Sequence, residues 1–150
     1  MFRRSVNPVL ARASVVALMN ALNGTIGLAE VLDGAELRLF TNAITPSKDS
    51  VFADFAEPTF TGYAPVTPLT WSAVGNAGTD GLYNDTEVNI TCTATPTPAE
   101  TVEGYFLCAA GGGAFLFGER FADPVGIAAI GDQLSLQIVA QLNFQLPVSA

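Results

Sequence analysis

Acidic side chains on a glycine-bearing loop can hold calcium, and the stretch GTDGLYNDTE brings Asp80, Asp85 and Glu87 close together in the chain. Their spacing fits no EF-hand loop, and Asp and Gly serve a solvated turn equally well, so the stretch reads as a turn. Glu119 and Arg120 have the types of an active-site acid and its partner, but neighbours in a strand point to opposite faces. A hydrolase built on Glu119 or Asp54 would also lack a paired base. AGGGA at 110–114 is followed by strand-like sequence rather than a helix, which excludes a phosphate cradle. Trp71, Tyr63 and Tyr105 are the residues that could line a sugar-binding face. The chain contains no histidine, the commonest general base and metal ligand, and its two cysteines cannot form a tetrahedral Cys/His zinc site. The reading is a non-enzymatic protein without metal or cofactor.

The elements that would position these residues are mostly strands. Apolar residues recur at helical spacing only in the first part of the chain, at Val9, Ala13, Val16 and Met19, with Pro8 suited to a first turn and Gly24 to a stop. This predicts one short amphipathic helix over Asn7 to Leu22. Beyond it, Asp33-Gly34 signals a hairpin turn, and Glu36 to Phe40 alternates so that Leu37 and Leu39 face inward. Val102 to Ala109, the Gly111–Gly113 turn and Ala114 to Phe121 form a second hairpin. Pro58, Pro65 and Pro68 confine 58–73 to edge strands or extended loops. Val88, Ile90, Cys92 and Ala94 share one face, as do Leu134, Leu136, Ile138, Leu142, Phe144 and Leu146. The fold class is mainly β: an antiparallel, jelly-roll-like β-sandwich over 25–150, preceded by an N-terminal arm and helix over 1–24. If Thr86 to Thr95 pairs with Val102 to Ala109 across a turn near Pro98, the two cysteines lie about 13 Å out of register. They are therefore expected as buried free thiols.

Of 150 residues, 49% are hydrophobic and 13% charged, a composition with ample material for one core. The net charge of −8 is unevenly spread. Arg3, Arg4 and Arg12 precede every acid, so residues 13–150 carry three bases against fourteen acids, a net of −11. Such a body repels phosphate backbones, which argues against nucleic acid as a partner. Arg12 interrupts the apolar stretch that a signal peptide would need, and no apolar run reaches the length of a membrane span. The segment is read as part of the mature chain, with no membrane partner.

Three stretches resemble a known family: LRLFTNAITPSKDSVFADFAEPTFTGYAPV (37–66), VEGYFLCAAGGGAFLFGERFADP (102–124) and GDQLSLQIVAQLNF (131–144). Their order is similar to that of small structural proteins of tailed bacteriophages, in which a short helix precedes a strand ending in L-x-L-F/Y-x-N-x-x-T-P. Here those positions are Leu37, Leu39, Phe40, Asn42, Thr45 and Pro46. The acidic motif that follows is matched by Ala53, Asp54, Phe55, Glu57, Phe60, Gly62 and Tyr63. Val102, Gly104, Tyr105 and Phe106 match the next, then Glu119, Arg120 and Phe121, and finally Gly131, Asp132 and Leu134. Gly118 stands where the family would have the alanine of its A-E-R-F motif. The resemblance covers about residues 9–144.

The resemblance implies a virion component, and specifically a capsid decoration or cement protein on the capsid exterior, with the major capsid protein as partner. It carries over no catalytic residue. Trimers match the local threefold positions of an icosahedral shell, so a homotrimer is the expected assembly. The charge separation nominates Phe2, Arg3, Arg4 and Arg12 as capsid-contact residues, the arginines by charge and Phe2 by apolar area. The alternative is a tail- or fibre-associated protein that binds a carbohydrate or receptor. It would need Trp71 or Tyr63 exposed on a concave face.

Overall fold

The computed structural model describes residues 9–10, 34–69, 72–73, 82–83, 87–136 and 138. Over these residues the protein is mainly β, and every strand pairing is antiparallel. The strands are β1 (Val9–Leu10), β2 (Glu36–Phe40), β3 (Ser72–Ala73), β4 (Leu82–Tyr83), β5 (Val88–Thr91), β6 (Glu100–Cys108), β7 (Phe115–Ile127) and β8 (Gln133–Leu136). They form a four-stranded sheet in the order β1-β7-β6-β2 and two ribbons, β3-β4 and β5-β8. A single 3₁₀ turn, Phe52–Asp54, interrupts the long connection after β2.

The expected helix is corrected at its start: Val9 and Leu10 are strand, paired with Gly118 and Phe117 of β7. The remainder of the arm, 11–24, lies outside the described residues. The hairpin expected around Gly111–Gly113 is present as β6–β7. Its second strand is longer than the pattern suggested, because β7 continues past Phe121 through a bulge. Val102 pairs with Val125 but Gly104 with Arg120, so residues 121–124 stand opposite Glu103 alone. Pro124, which cannot donate to a ladder, falls inside that bulge.

The expected pairing of Thr86–Thr95 with Val102–Ala109 is replaced. β5 pairs with β8, Val88 opposite Leu136 and Thr91 opposite Gln133, while β6 lies between β2 and β7. Leu37, Leu39, Tyr105, Leu107 and Phe117 project from one face of the four-stranded sheet, and Val88, Ile90, Leu134 and Ile138 reach them from the β5-β8 segment. Side chains of both layers therefore share one core, the arrangement of a β-sandwich. Cys92 is part of this core.

The opposite face of the four-stranded sheet is also covered. Phe40, Phe106, Cys108 and Phe115 form a second apolar cluster with Phe55, which arrives from the 41–57 connection. Phe55 stacks on Phe106 at a ring separation of 4.4 Å and lies 5.1–5.2 Å from Phe115 and Phe40. Burying one such phenylalanine is worth about 2–3 kcal/mol, enough to hold the connection against the sheet. Gly104 allows this packing, since a Cβ there would lie 2.4 Å from the Phe40 ring and 2.2 Å from the Glu119 carbonyl oxygen. The two cysteines thus occupy opposite faces of the sheet, and both are buried free thiols.

Candidate functional site

The densest polar constellation among the described residues centres on Arg38. Strand alternation puts Glu36, Arg38 and Phe40 on the outer face of β2, so the two charged side chains are neighbours two residues apart. Arg38 donates from Nε and Nη2 to Glu36 Oε2 at 2.9 and 2.6 Å, and from Nη1 to Glu57 Oε2 at 2.6 Å. Its guanidinium also lies over the Phe52 ring, 5.1 Å from the centroid. Glu36 receives two backbone donors from the β6–β7 turn, Gly111 at 2.7 Å and Gly112 at 3.3 Å. Tyr63 closes the other end, its hydroxyl donating to Glu57 Oε1 at 2.6 Å and accepting from the Leu39 N–H at 3.2 Å.

The electrostatics follow from these contacts. The Arg38 hydrogen bond, helped by the Gly111 N–H, holds the Glu36 carboxyl below its ordinary value. Burial works against the charge on Arg38, but the hydrogen bond to Glu36 and the field of Glu57 outweigh it and raise its pKa. Burial, followed by the hydrogen bond to Glu57, keeps the Tyr63 phenol protonated far beyond its usual range. Arg38 stays cationic and Glu36 anionic at neutral pH, and Tyr63 stays neutral. None of these three is poised to exchange a proton, so the constellation is a clasp rather than an acid–base pair.

Segment 56–66 extends the clasp into a strap. The Thr41 N–H donates to the Ala56 carbonyl at 2.8 Å, and Leu37 and Val66 exchange backbone hydrogen bonds at 2.9 and 3.0 Å. With the Tyr63 hydroxyl on Leu39, the strap covers the outer edge of β2. It then reaches the other layer, where the Thr93 N–H donates to the Thr61 carbonyl at 2.8 Å, while Thr59 donates from its N–H and hydroxyl to Glu100 at the start of β6. Gly62, at φ +102°, passes so close to β5 that a Cβ would sit 2.3 Å from the Thr91 carbonyl oxygen. Asn42 pins the preceding turn, donating to the Asp54 carbonyl and accepting from the Ala56 N–H.

The residues singled out by sequence are scattered. Glu119 lies opposite Tyr105, whose phenol is pushed up by burial and then by the Glu119 charge. Arg120 turns away to pair with Glu103 at 2.7 Å, as strand alternation requires. Asp54 accepts from the Val51 N–H and caps the 3₁₀ turn. Glu87 is exposed at the start of β5, whereas Asp80 and Asp85 lie outside the described residues. No group of three or more His, Cys, Asp or Glu among the described residues could hold a metal. Of the three aromatic residues, Tyr105 is buried and Tyr63 spends its hydroxyl in the clasp. Trp71 and the capsid-contact candidates Phe2, Arg3, Arg4 and Arg12 lie outside the described residues. No helix among the described residues is long and apolar enough to cross a membrane. Sequence reasoning missed the clasp. Its one local signal was the alternating Glu36 and Arg38, and its other members arrive from distant segments.

Compared with known protein families, curated proteins and solved structures, the chain matches none.

Proposed function

We propose that this chain is a non-enzymatic structural protein of a tailed-bacteriophage virion, a decoration or cement protein that binds the major capsid protein on the capsid exterior as a homotrimer. The observation that carries this reading is the strap. Asn42, Phe55, Glu57, Phe60, Gly62 and Tyr63, all positions of the sequence resemblance, are spent on fastening 52–66 to both layers or to the sheet face. A protein that reinforces a shell needs a rigid, self-closed body rather than a reactive cleft, and this is what those residues build. The low share of charged residues supports the same role, because uncharged polar surfaces can be buried against a neighbour at smaller desolvation cost than ions.

The test is an image reconstruction of purified particles with copies per virion counted from the density. Occupancy at symmetry-related positions over the shell is the expected result. A few copies at one vertex or along the tail would overturn the capsid role in favour of a tail or fibre component. A virion free of the protein would overturn both.

A further inference from the structure

The β6–β7 turn closes on itself, the Ala109 N–H donating to the Ala114 carbonyl at 2.9 Å and the Gly113 N–H to the Ala109 carbonyl at 3.0 Å. Gly111 and Gly112 lie between them at φ +70° and +71°, and their N–H groups are left for Glu36. There they join Nε and Nη2 of Arg38, so that four N–H donors at 2.6–3.3 Å converge on the two oxygens of one carboxylate. Successive backbone N–H groups with a guanidinium beside them are the parts from which oxyanion sites are built.

Each part of this cradle is held by something other than Glu36. Arg38 is tied through Nη1 to Glu57 at 2.6 Å and lies over the Phe52 ring. The same ring packs against the turn, since a Cβ on Gly112 would lie 3.3 Å from it, and the turn has its own two hydrogen bonds. The donors are therefore aimed in advance, and a ligand entering the cradle has little left to order. The Glu36 side chain is 11% exposed, so the cradle is sheltered from water, and sheltered donors without an acceptor are costly. Taking Glu36 away leaves four such donors, two of them on a cation.

We propose that Arg38 and the β6–β7 turn form a carboxylate-binding site, occupied in the native chain by Glu36 as a tethered ligand and open to a small external carboxylate once that ligand is removed. Glu36→Ala deletes Cγ, Cδ, Oε1 and Oε2, and these are the heavy atoms of acetate. In the wild type the tether presents the Glu36 carboxylate at an effective concentration that dissolved acetate does not match, which keeps the site closed to outside anions. Glu36 on this account contributes as a bound ligand, and the cradle works in the same way on or off a capsid.

Thermal unfolding of the full chain at neutral pH tests it, with the wild type, Glu36→Ala and Glu36→Gln each titrated with sodium acetate against sodium chloride of equal ionic strength. For so small a ligand a Kd on the order of 10 mM is expected, so about 100 mM acetate should raise the folding equilibrium constant of Glu36→Ala about tenfold, in a manner that saturates. Acetate should give no such gain in the wild type or in Glu36→Gln, whose amide fills the space. Pivalate, of the same charge but too bulky to enter, should give none in Glu36→Ala. The Gly111 and Gly112 amide resonances of Glu36→Ala should move over the same range of acetate. If Glu36→Ala is unfolded in chloride, recovery of its strand circular dichroism in acetate is the expected result. No gain over chloride overturns the proposal, as does a chain that stays unfolded in both salts. So does an equal gain with pivalate or in the wild type, or a gain that survives in Glu36→Ala/Arg38→Ala.

Discussion

Arg38 ties together two carboxylates from different parts of the chain, and its side chain is only 14% exposed. Truncating it leaves Glu36 and Glu57 facing each other's charge without the cation between them. Arg38→Ala is expected to destabilise the fold by about 3 kcal/mol in urea unfolding, the usual cost of breaking a largely buried pair from one side. A loss no larger than that of an exposed Lys48→Ala would show that the clasp is decorative. The same cluster sets a pH dependence. Glu36 has a folded pKa below its ordinary 4.5, chiefly through the Arg38 hydrogen bond. Its contribution is therefore fully present above the unfolded value and is lost as pH falls through the folded one. Asp132, held low by the Ala128 and Ala129 N–H groups, has the same sign. Stability should fall on acidification below about pH 4.5, and Glu36→Gln should flatten that slope while lowering stability at neutral pH. A variant as steep as the wild type would remove Glu36 from the account. Of this cluster, the sequence shows the pair on one strand face, because Glu36 and Arg38 are two residues apart. Glu57, Tyr63 and the Gly111 and Gly112 N–H groups are brought in by tertiary folding, which no local spacing announces.

The strap acts at the level of elements, converting the exposed edge of β2 into an occupied one. Tyr63 is the member most open to test, since its hydroxyl both holds Glu57 and receives the Leu39 N–H. Tyr63→Phe keeps the ring against Phe60 but leaves that buried N–H without its acceptor, at a cost of about 2 kcal/mol. Hydrogen exchange at the Leu39 amide should accelerate well beyond that at Leu107, which lies in the middle of the sheet, and the edge so opened should raise aggregation. Equal protection at Leu39 in both proteins would refute the edge role. Strand existence and the β6–β7 hairpin were legible because alternation and the Gly111–Gly113 turn are local signals. The partner of β5 was not. Alternation tells which side chains of Val88–Thr91 are buried but is silent on what lies beside them, and the apparent turn at Pro98 suggested the wrong neighbour. The true partner, β8, lies beyond the whole β6–β7 hairpin. The separation of the two cysteines followed for a different reason than register. They lie on opposite faces of one sheet, with the sheet itself between Cys92 and Cys108. Val9 and Leu10 show the opposite failure. Their helical periodicity is real, but the β7 edge at Phe117 and Gly118 offers them ladder hydrogen bonds, and tertiary pairing overrides propensity.

Across the whole molecule the decisive quantity is the distribution of charge. All fourteen acids follow the three arginines of the first twelve residues, so the chain is a basic tip on a body of net −11. In a capsid-bound state such a body is repelled by any acidic shell surface, and the tip is the part that can be attracted to it. Attraction of this kind is screened by salt, whereas apolar contact is not weakened in the same way. The proposed anchoring by Phe2, Arg3, Arg4 and Arg12 therefore predicts a specific pattern rather than a simple loss. Deleting residues 2–6 removes Phe2, Arg3 and Arg4 and shifts the net charge from −8 to −10. Binding to purified shells should weaken by about tenfold at low salt, and the difference from the intact chain should narrow as salt rises. Arg3→Gln/Arg4→Gln, which keeps Phe2, separates the two components. If charge dominates, the double variant reproduces the deletion; if Phe2 carries the contact, it binds like the intact chain. Shell affinity and salt dependence that are both unchanged by the deletion would remove the tip from the interface and transfer the contact to the folded body.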